Sequence, residues 1–351
     1  MVLGAMPTRP ALLVRIKDTN GCEGWGEVWA NFPPRANIHK AHIVEEVIAP
    51  HLNGLRVTAP REVTELLRRA LSTYFLHAGQ CSVFEHILAG IDTALWDLAL
   101  RSIGQSFAEF MSLEVSSALT YASSINPADL EQLMSDHSEY GQSKFKLKIG
   151  IDNEQDLRFV TEASKIRPPG TQLMVDSNQA WDLDSALKML SRFEEFQLNF
   201  AEEPISANAG VDQWERLAKA TSIPLACGEN LYGISQFMSM ANSGIGFIQP
   251  DVSKWGGVTG ALELAGVLPS GVELWPHFMG TAVGQMAALS IAAVIGETSL
   301  CEVDVNTNPL RSDLCGNALT IEAGRILLPD DPGLVIPPSR ERLDEFRDRA
   351  Y

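Results

Sequence analysis

The chain has no excess of basic charge, no paired cysteine motif and no apolar run approaching membrane-spanning length. Lys and Arg number 27 against 44 Asp and Glu, giving a formal net charge of −17. Nucleic acid or an anionic membrane surface would need a basic patch, so this balance argues against both as partners. Five cysteines, at positions 22, 81, 227, 301 and 315, form no Cys-x-x-Cys pair, and their odd count suits reduced thiols. The first residues, Met1 to Pro7, have no signal-peptide layout. Together these features predict a cytoplasmic protein acting on a small molecule.

What the sequence does have is a recurring carboxylate. Asp176 in Met-Val-Asp-Ser-Asn, Glu202 in Phe-Ala-Glu-Glu-Pro and Glu229 in Ala-Cys-Gly-Glu-Asn are separated by 26 and 27 residues. That interval is one strand plus one helix. Each acid closes a short apolar run and precedes a helix-length stretch, so parallel strands would place all three at carboxyl ends, the active-site face of an eight-stranded barrel. Anions converging there repel one another unless a cation holds them. An all-oxygen donor set without His or Cys points to a hard divalent ion, Mg²⁺. Glu203, adjacent to Glu202, should turn away from the barrel axis by strand alternation. Asn178 shares the face of Asp176, where it either bonds a ligand or substrate oxygen or caps the next helix.

The period continues both ways. Lys144, Lys146 and Lys148 alternate with Phe145 and Leu147, and Lys148 lies 28 residues before Asp176. Downstream, Asp251, His277 and Glu302 follow apolar runs at gaps of 22, 26 and 25 residues. Lys144, the deepest of the lysines, is expected in a structural ion pair. Cys227 should share the strand face of Glu229, as a packing residue. Before the repeat, Ala11 to Ile16 and Trp25 to Trp29 read as strands joined at Asp18-Thr-Asn-Gly. Apolar positions from Val63 to Leu71 and from Phe84 to Leu98 then mark two helices. The predicted whole is an α/β chain with a small α+β domain followed by a TIM-type barrel, and then a hairpin and charged tail from Arg311 to Tyr351.

Lys-Leu-Lys, Asp-Ser-Asn, Glu-Glu-Pro, Gly-Glu-Asn, Pro-Asp-Val-Ser-Lys-Trp-Gly-Gly and Pro-His-Phe-Met-Gly, in this order, resemble the enolase superfamily and its mandelate racemase-like branch. The resemblance covers nearly the whole chain. It implies a (β/α)7β barrel spanning residues 117–306, capped by an α+β domain of residues 1–116 to which residues 307–351 return. Asp176, Glu202 and Glu229 would hold Mg²⁺. Lys148 resembles the base on one substrate face, with a pKa lowered toward neutrality by the metal and Lys146, and Lys146 resembles the lysine that bonds the substrate carboxylate. His277 resembles the second base, oriented by Asp251, and Glu302 the acid that donates to a developing enolate, or else a barrel ion-pair member. Lys254 lies near the position of the second base in muconate lactonizing enzymes, but Pro-His-Phe-Met-Gly assigns that role to His277 and leaves Lys254 supporting.

The implied activity is Mg²⁺-dependent abstraction of the α-proton of a carboxylate, as in an acid-sugar or hydroxy-acid dehydratase. The alternatives are a racemase or epimerase of the same substrates, a muconate lactonizing-type cycloisomerase, or an inactive metal-binding relative. The family also implies a homo-oligomer, from dimer to octamer. Relatives begin earlier, with a strand and a lid loop ending where Met6-Pro-Thr-Arg-Pro begins here, so the expectation is either a misassigned start or a shortened member without its lid.

Overall fold

The computed structural model describes residues 8–347 apart from 58 and 317. Met1 to Pro7, on which the lid expectation turns, and residues 348–351 lie outside the described residues.

Strands β1 (Leu12–Lys17) and β2 (Glu23–Val28) form an antiparallel hairpin with Leu12 opposite Val28. Asp18 builds its turn by accepting the backbone N–H groups of Asn20 at 2.9 Å and Cys22 at 2.8 Å. The helices Pro60–His77 and Cys81–Ile103 extend beyond the predicted apolar stretches. Val63, Leu67, Leu71 and Phe75 recur every fourth residue and form the buried face of the first. Phe75 stacks on Phe84 of the second, with ring centroids 4.3 Å apart. Glycine lets β2 lie directly on that second helix: a Cβ on Gly26 would stand 2.0 Å from the Gly90 carbonyl oxygen, and one on Gly24 2.2 Å from that of Ala94.

Eight strands then alternate with helices, from Leu130–Glu139 after the first to Ala282–Ile295 before the last. They are β3 (Ser117–Ile125), β4 (Lys144–Lys148), β5 (Gln172–Asp176), β6 (Ala201–Glu202), β7 (Leu225–Cys227), β8 (Phe247–Ile248), β9 (Glu273–Leu274) and β10 (Leu300–Asp304). All pair in parallel, in the order β10-β3-β4-β5-β6-β7-β8-β9. The path's two ends meet where the Glu302 N–H donates to the Pro276 carbonyl at 3.2 Å. This is the expected (β/α)7β barrel with its α+β cap.

Buried carboxylates of the cap tie it to the barrel. Glu27 accepts the backbone N–H groups of Thr281 and Gly284 at the start of helix Ala282–Ile295, and Asp92 accepts that of Thr259 at 2.9 Å in helix Gly257–Val267. Asp97 receives the N–H groups of Trp25 at 3.0 Å and Leu334 at 2.8 Å, which brings the C-terminal segment back to the hairpin. The hairpin expected within Leu319 to Leu328 is reduced to a single antiparallel bridge between Glu322 and Arg325. Strand β11 (Arg325–Leu327) pairs instead with Ser117 to Leu119, the start of β3, which precedes its pairing with β4 at Ala122. Among the described residues, no helix is long and apolar enough to cross a membrane.

Candidate active site

Along each barrel strand, alternate residues point inward. The lower layer is apolar: Tyr121, Met174, Phe200, Ala226, Phe247, Trp275 and Leu300 form one buried cluster. Two residues further along six of these strands stand Ser123, Asp176, Glu202, Gln249, His277 and Glu302, all buried. An apolar plug therefore floors a layer of charge. The predicted site residues Lys146, Lys148, Asp176, Glu202, Glu229, Asp251, Lys254, His277 and Glu302 are linked by ion pairs in this upper layer.

Lys146 is wholly buried at the centre. Its ammonium lies 2.6 Å from Glu202 Oε2, 2.8 Å from Glu302 Oε1 and 3.9 Å from Asp176 Oδ2. Burial works against this charge, but Glu202 and Glu302 outweigh it and hold its pKa well above the usual lysine value. Glu302 also accepts from the Ser123 hydroxyl, and from the Tyr121 hydroxyl at 3.3 Å. It thus pairs with Lys146 inside the barrel.

Lys148 pairs with Asp176 Oδ2 and donates to Asn178 Oδ1 at 3.2 Å. Burial lowers its pKa, but Asp176, joined by Glu202 and Glu302, raises it above the usual lysine value; the lowering expected of it belongs to the state in which Mg²⁺ takes up the Asp176 charge. Asn178 does not cap the next helix, whose N-cap is Asp182; its backbone N–H instead donates to Asp176 Oδ1 at 2.8 Å.

Across the mouth, His277 Nδ1 stands 2.9 Å from Asp251 Oδ2, and Nε2 stands 3.0 Å from Glu229 Oε2 and 3.7 Å from Glu302 Oε2. Burial disfavours the imidazolium, yet Glu229, Glu302 and Asp251 raise its pKa to about 9. Asp251 is fixed in turn by the Ser253 N–H at 2.8 Å and hydroxyl at 2.6 Å. Lys254 donates to Glu229 Oε2 and Asn230 Oδ1, both at 3.2 Å, as a supporting residue would. Lys148 and Glu229 each keep 13% of their side-chain surface exposed, which makes them the open rim of an otherwise buried layer.

Each of the three predicted metal ligands therefore has a cationic partner, and among the described residues no three acidic, imidazole or thiol groups gather around one point. The donor set nevertheless suits a hard divalent cation. It is all carboxylate, and Glu202 Oε1 is buried with no hydrogen-bond partner. Crowding shows in Glu202, whose pKa is raised to about 7 by burial and by Asp176.

Two expectations are corrected. Lys144 reaches the amide oxygens of Gln172 and of Asn199, the latter at 2.8 Å, rather than a carboxylate, and lies 5.4 Å from the Trp275 ring at the barrel floor. Cys227 packs in the barrel–helix core, while Ala226 belongs to the inner plug. Alternation slips at Gly228, where φ is +149° and a Cβ would stand 2.6 Å from the Gln249 nitrogen, and this slip brings Glu229 over the mouth. Sequence reasoning also missed Tyr121, Ser123 and Gln249, although alternation from Asp251 back along its strand would have found Gln249. That amide donates to Glu202 Oε2 at 2.9 Å. Glu203 turns from the axis as expected, accepting from Gln179 at 2.7 Å and Asn230 at 2.9 Å, and burial with Glu229 nearby raises its pKa to about 8.

Residues 1–112 match the mandelate racemase/muconate lactonizing enzyme N-terminal domain, and residues 129–342 match the enolase C-terminal domain-like family. D-galactarolactone cycloisomerase of Agrobacterium fabrum is 28% identical, over 97% of this chain and 92% of its own. Further relatives bear the names of acid-sugar dehydratases. A crystal structure of a mandelate racemase/muconate lactonizing enzyme from Bordetella bronchiseptica RB50 is 36% identical, with a TM-score of 0.91 over 96% of this chain and 94% of that one. A racemase from Streptomyces coelicolor A3(2), solved with bound magnesium, shares the fold at 22% identity, with a TM-score of 0.79 over 95% and 94% of the two chains. With both halves matched in this order, the chain belongs to the mandelate racemase/muconate lactonizing enzyme family of the enolase superfamily.

Proposed function

We propose that the protein removes the proton beside the carboxylate of a hydroxy or sugar acid and then expels the β-hydroxyl as water. The observation that carries this reading is a pair of oriented bases facing each other across one anionic layer: Lys148 beside Asp176 on one side, His277 beside Asp251 on the other. In the barrel order, β10 and β3 separate the strands bearing them.

A proton beside a carboxylate is a very weak acid, and removing it creates a second negative charge. Mg²⁺ held by Asp176, Glu202 and Glu229 would neutralise the substrate carboxylate and take up the Asp176 charge that now keeps Lys148 protonated. Lys146 offers a fixed ammonium to the substrate carboxylate, and Glu302, bonded to Ser123 and Tyr121, keeps Lys146 aimed inward. Lys148 Nζ takes the α-proton. His277, an imidazolium at neutral pH, gives its Nε2 proton to the departing hydroxyl, while Asp251 holds Nδ1 and stabilises the charged ring. Ser253 is bonded to Asp251, and its carbonyl accepts the Trp29 N–H of the cap at 3.2 Å. The cap thereby helps orient the acid.

The lysine arrangement of the cycloisomerase alternative receives less support. Lys254 is engaged by Glu229 and Asn230 rather than turned toward an opposing base. The test is to incubate the protein with a panel of acid sugars in heavy water, with and without Mg²⁺. We expect α-deuterium in recovered substrate and a 2-keto-3-deoxy acid as product, both dependent on Mg²⁺. Exchange without any keto acid would replace dehydration with racemisation, and neither signal on any acid would overturn the reading.

A further inference from the structure

Beside the reaction centre, where cap meets barrel, lies a cluster that the chemistry above leaves unused. Lys40, on the cap helix Ala36–Ile43, is 2% exposed, and among the described residues no carboxylate pairs with it. Its ammonium donates to the Trp29 carbonyl, lies 2.8 Å from His86 Nδ1 and stands 4.9 Å from the centroid of the Trp29 ring. Lys254 Nζ stands 4.9 Å from the same ring. Two ammoniums share one indole, and only Lys254 has an acid, Glu229.

The hydrogen-bond chain has a direction. When Lys40 is charged it can only donate, so His86 then accepts from it through Nδ1 and carries its proton on Nε2. Burial, with Lys40 and Lys254 nearby, drives the His86 pKa well below its ordinary value and keeps the ring neutral. The Nε2 hydrogen is then donated to the Tyr232 oxygen at 2.9 Å, which leaves the Tyr232 hydroxyl hydrogen free to point elsewhere. Tyr232 and Trp29 are both partly exposed. Lys40 has two hydrogen-bonding partners in Trp29 and His86, and Lys254 has two in Glu229 and Asn230, so each retains a third N–H. Two lysine nitrogens with a spare donor each thus lie over the partly exposed Trp29 ring, Tyr232 adjoins them through His86, and Lys254 links the cluster to Glu229. Burial and the nearby Lys254 lower the Lys40 pKa to about 7, so its ammonium lacks a counter-charge that an arriving anion would supply.

We propose that Lys40, Tyr232 and Lys254 form a second anion subsite, and that the substrate is an acid sugar carrying an anionic group at its distal end as well as the carboxylate that reacts. This rests on the function proposed above and specifies its substrate. The reacting carboxylate goes to the Lys146 side of the mouth; the distal anion goes to the cap. Lys40 and Tyr232 bind the substrate and take no part in moving the proton.

Three probes test it: a six-carbon aldaric acid with carboxylates at both ends, the aldonic acid with one, and that aldonic acid phosphorylated at its far end. Binding is read by calorimetry in Mg²⁺-loaded Lys148→Ala protein, where turnover is stopped, and kcat/KM in the otherwise unaltered enzyme. We expect one or both doubly charged acids to be preferred over the aldonate by roughly 100-fold. Lys40→Gln should erase most of that preference, about 30-fold, through KM rather than kcat, whereas Lys40→Arg keeps it to within about fivefold. The carboxylate and phosphate arms tell which anion the subsite takes. Should Lys40→Gln fail to fold, Tyr232→Phe provides the same comparison with a preference reduced by about five- to tenfold. A preference for the aldonate, or losses in Lys40→Gln and Tyr232→Phe that are equal across the three probes, would overturn the proposal. Binding preferences without any proton exchange would leave the subsite standing and overturn the reaction instead.

Discussion

Two layers of one barrel, built on the same strands two residues apart, behave as different materials. Below, Met174, Phe200, Phe247 and Trp275 fill the interior with interlocking side chains, Phe200 and Trp275 meeting edge to face at 5.8 Å. Above them, Asp176, Glu202, Gln249 and His277 occupy the equivalent inward positions and are joined by ion pairs and hydrogen bonds. Backbone geometry is common to both. The difference lies in what the inward residue can exchange with a ligand: the plug has only packing to lose, whereas the upper layer holds charge that a cation and a substrate can redistribute.

The comparison breaks first at the metal ligands. Glu202→Gln or Glu229→Gln should weaken Mg²⁺ binding by more than roughly 100-fold, beyond the ~10–100-fold typical of losing an outer-shell partner. Calorimetry reads this directly, and unaltered affinity in either variant would remove that residue from the ligand set. The lower layer should respond in the opposite way. Phe200→Ala should cost about 3–5 kcal/mol of stability in urea titrations and leave Mg²⁺ affinity within severalfold. A variant that loses metal binding without losing stability would show that the plug and the site are not separable.

The ion pairs also change what the bare sequence suggests about stability. Three clustered acids look mutually repulsive, so removing one should relieve strain. In the structure Glu202 faces Lys146, and Glu229 faces Lys254 and His277. Without added metal, Glu229→Gln should therefore lower stability by ~1–3 kcal/mol, because Lys254 and His277 outweigh burial and hold the Glu229 carboxyl well below its usual range. An increase in its urea midpoint would restore the repulsive picture.

The smallest expected effect is at the seam between cap and barrel. Asp92 has one oxygen bonded to Thr259 and the other buried without a partner, and burial raises its pKa to about 7 from 3.8. The folded state then keeps a proton that the unfolded state releases above about pH 4, so stability should fall as pH rises from about 4 to about 7. Relative to Asp92→Asn, the wild type should lose on the order of 1–3 kcal/mol across that window. Parallel stability–pH curves for the two proteins would contradict this assignment.

Barrel, cap and the charged residues of the mouth were legible because each depends on short-range rules: a strand-plus-helix period, alternation and an Asx turn. Where alternation failed, one glycine was responsible. Gly228 shifts the phase between Ala226 and Glu229, and no pattern of apolar residues announces a φ of +149°. The seam was equally hidden. Glu27 finds Thr281 and Asp97 finds Leu334, partners far apart in sequence whose meeting depends on the docking of the cap. The raised pKa of Lys148 was hidden for a related reason: the sequence showed its neighbouring lysine but not its direct contact with Asp176.

The central claim is that the upper layer holds two acid–base groups with different tasks, and stereospecific exchange separates them. With Mg²⁺ and an accepted acid sugar in heavy water, wild-type protein should exchange the α-proton and eliminate water. His277→Asn should retain exchange while elimination falls by about 10²–10⁴-fold, and Lys148→Ala should lose both. Retained exchange in Lys148→Ala with its loss in His277→Asn would contradict the account by making His277 the base that takes the α-proton.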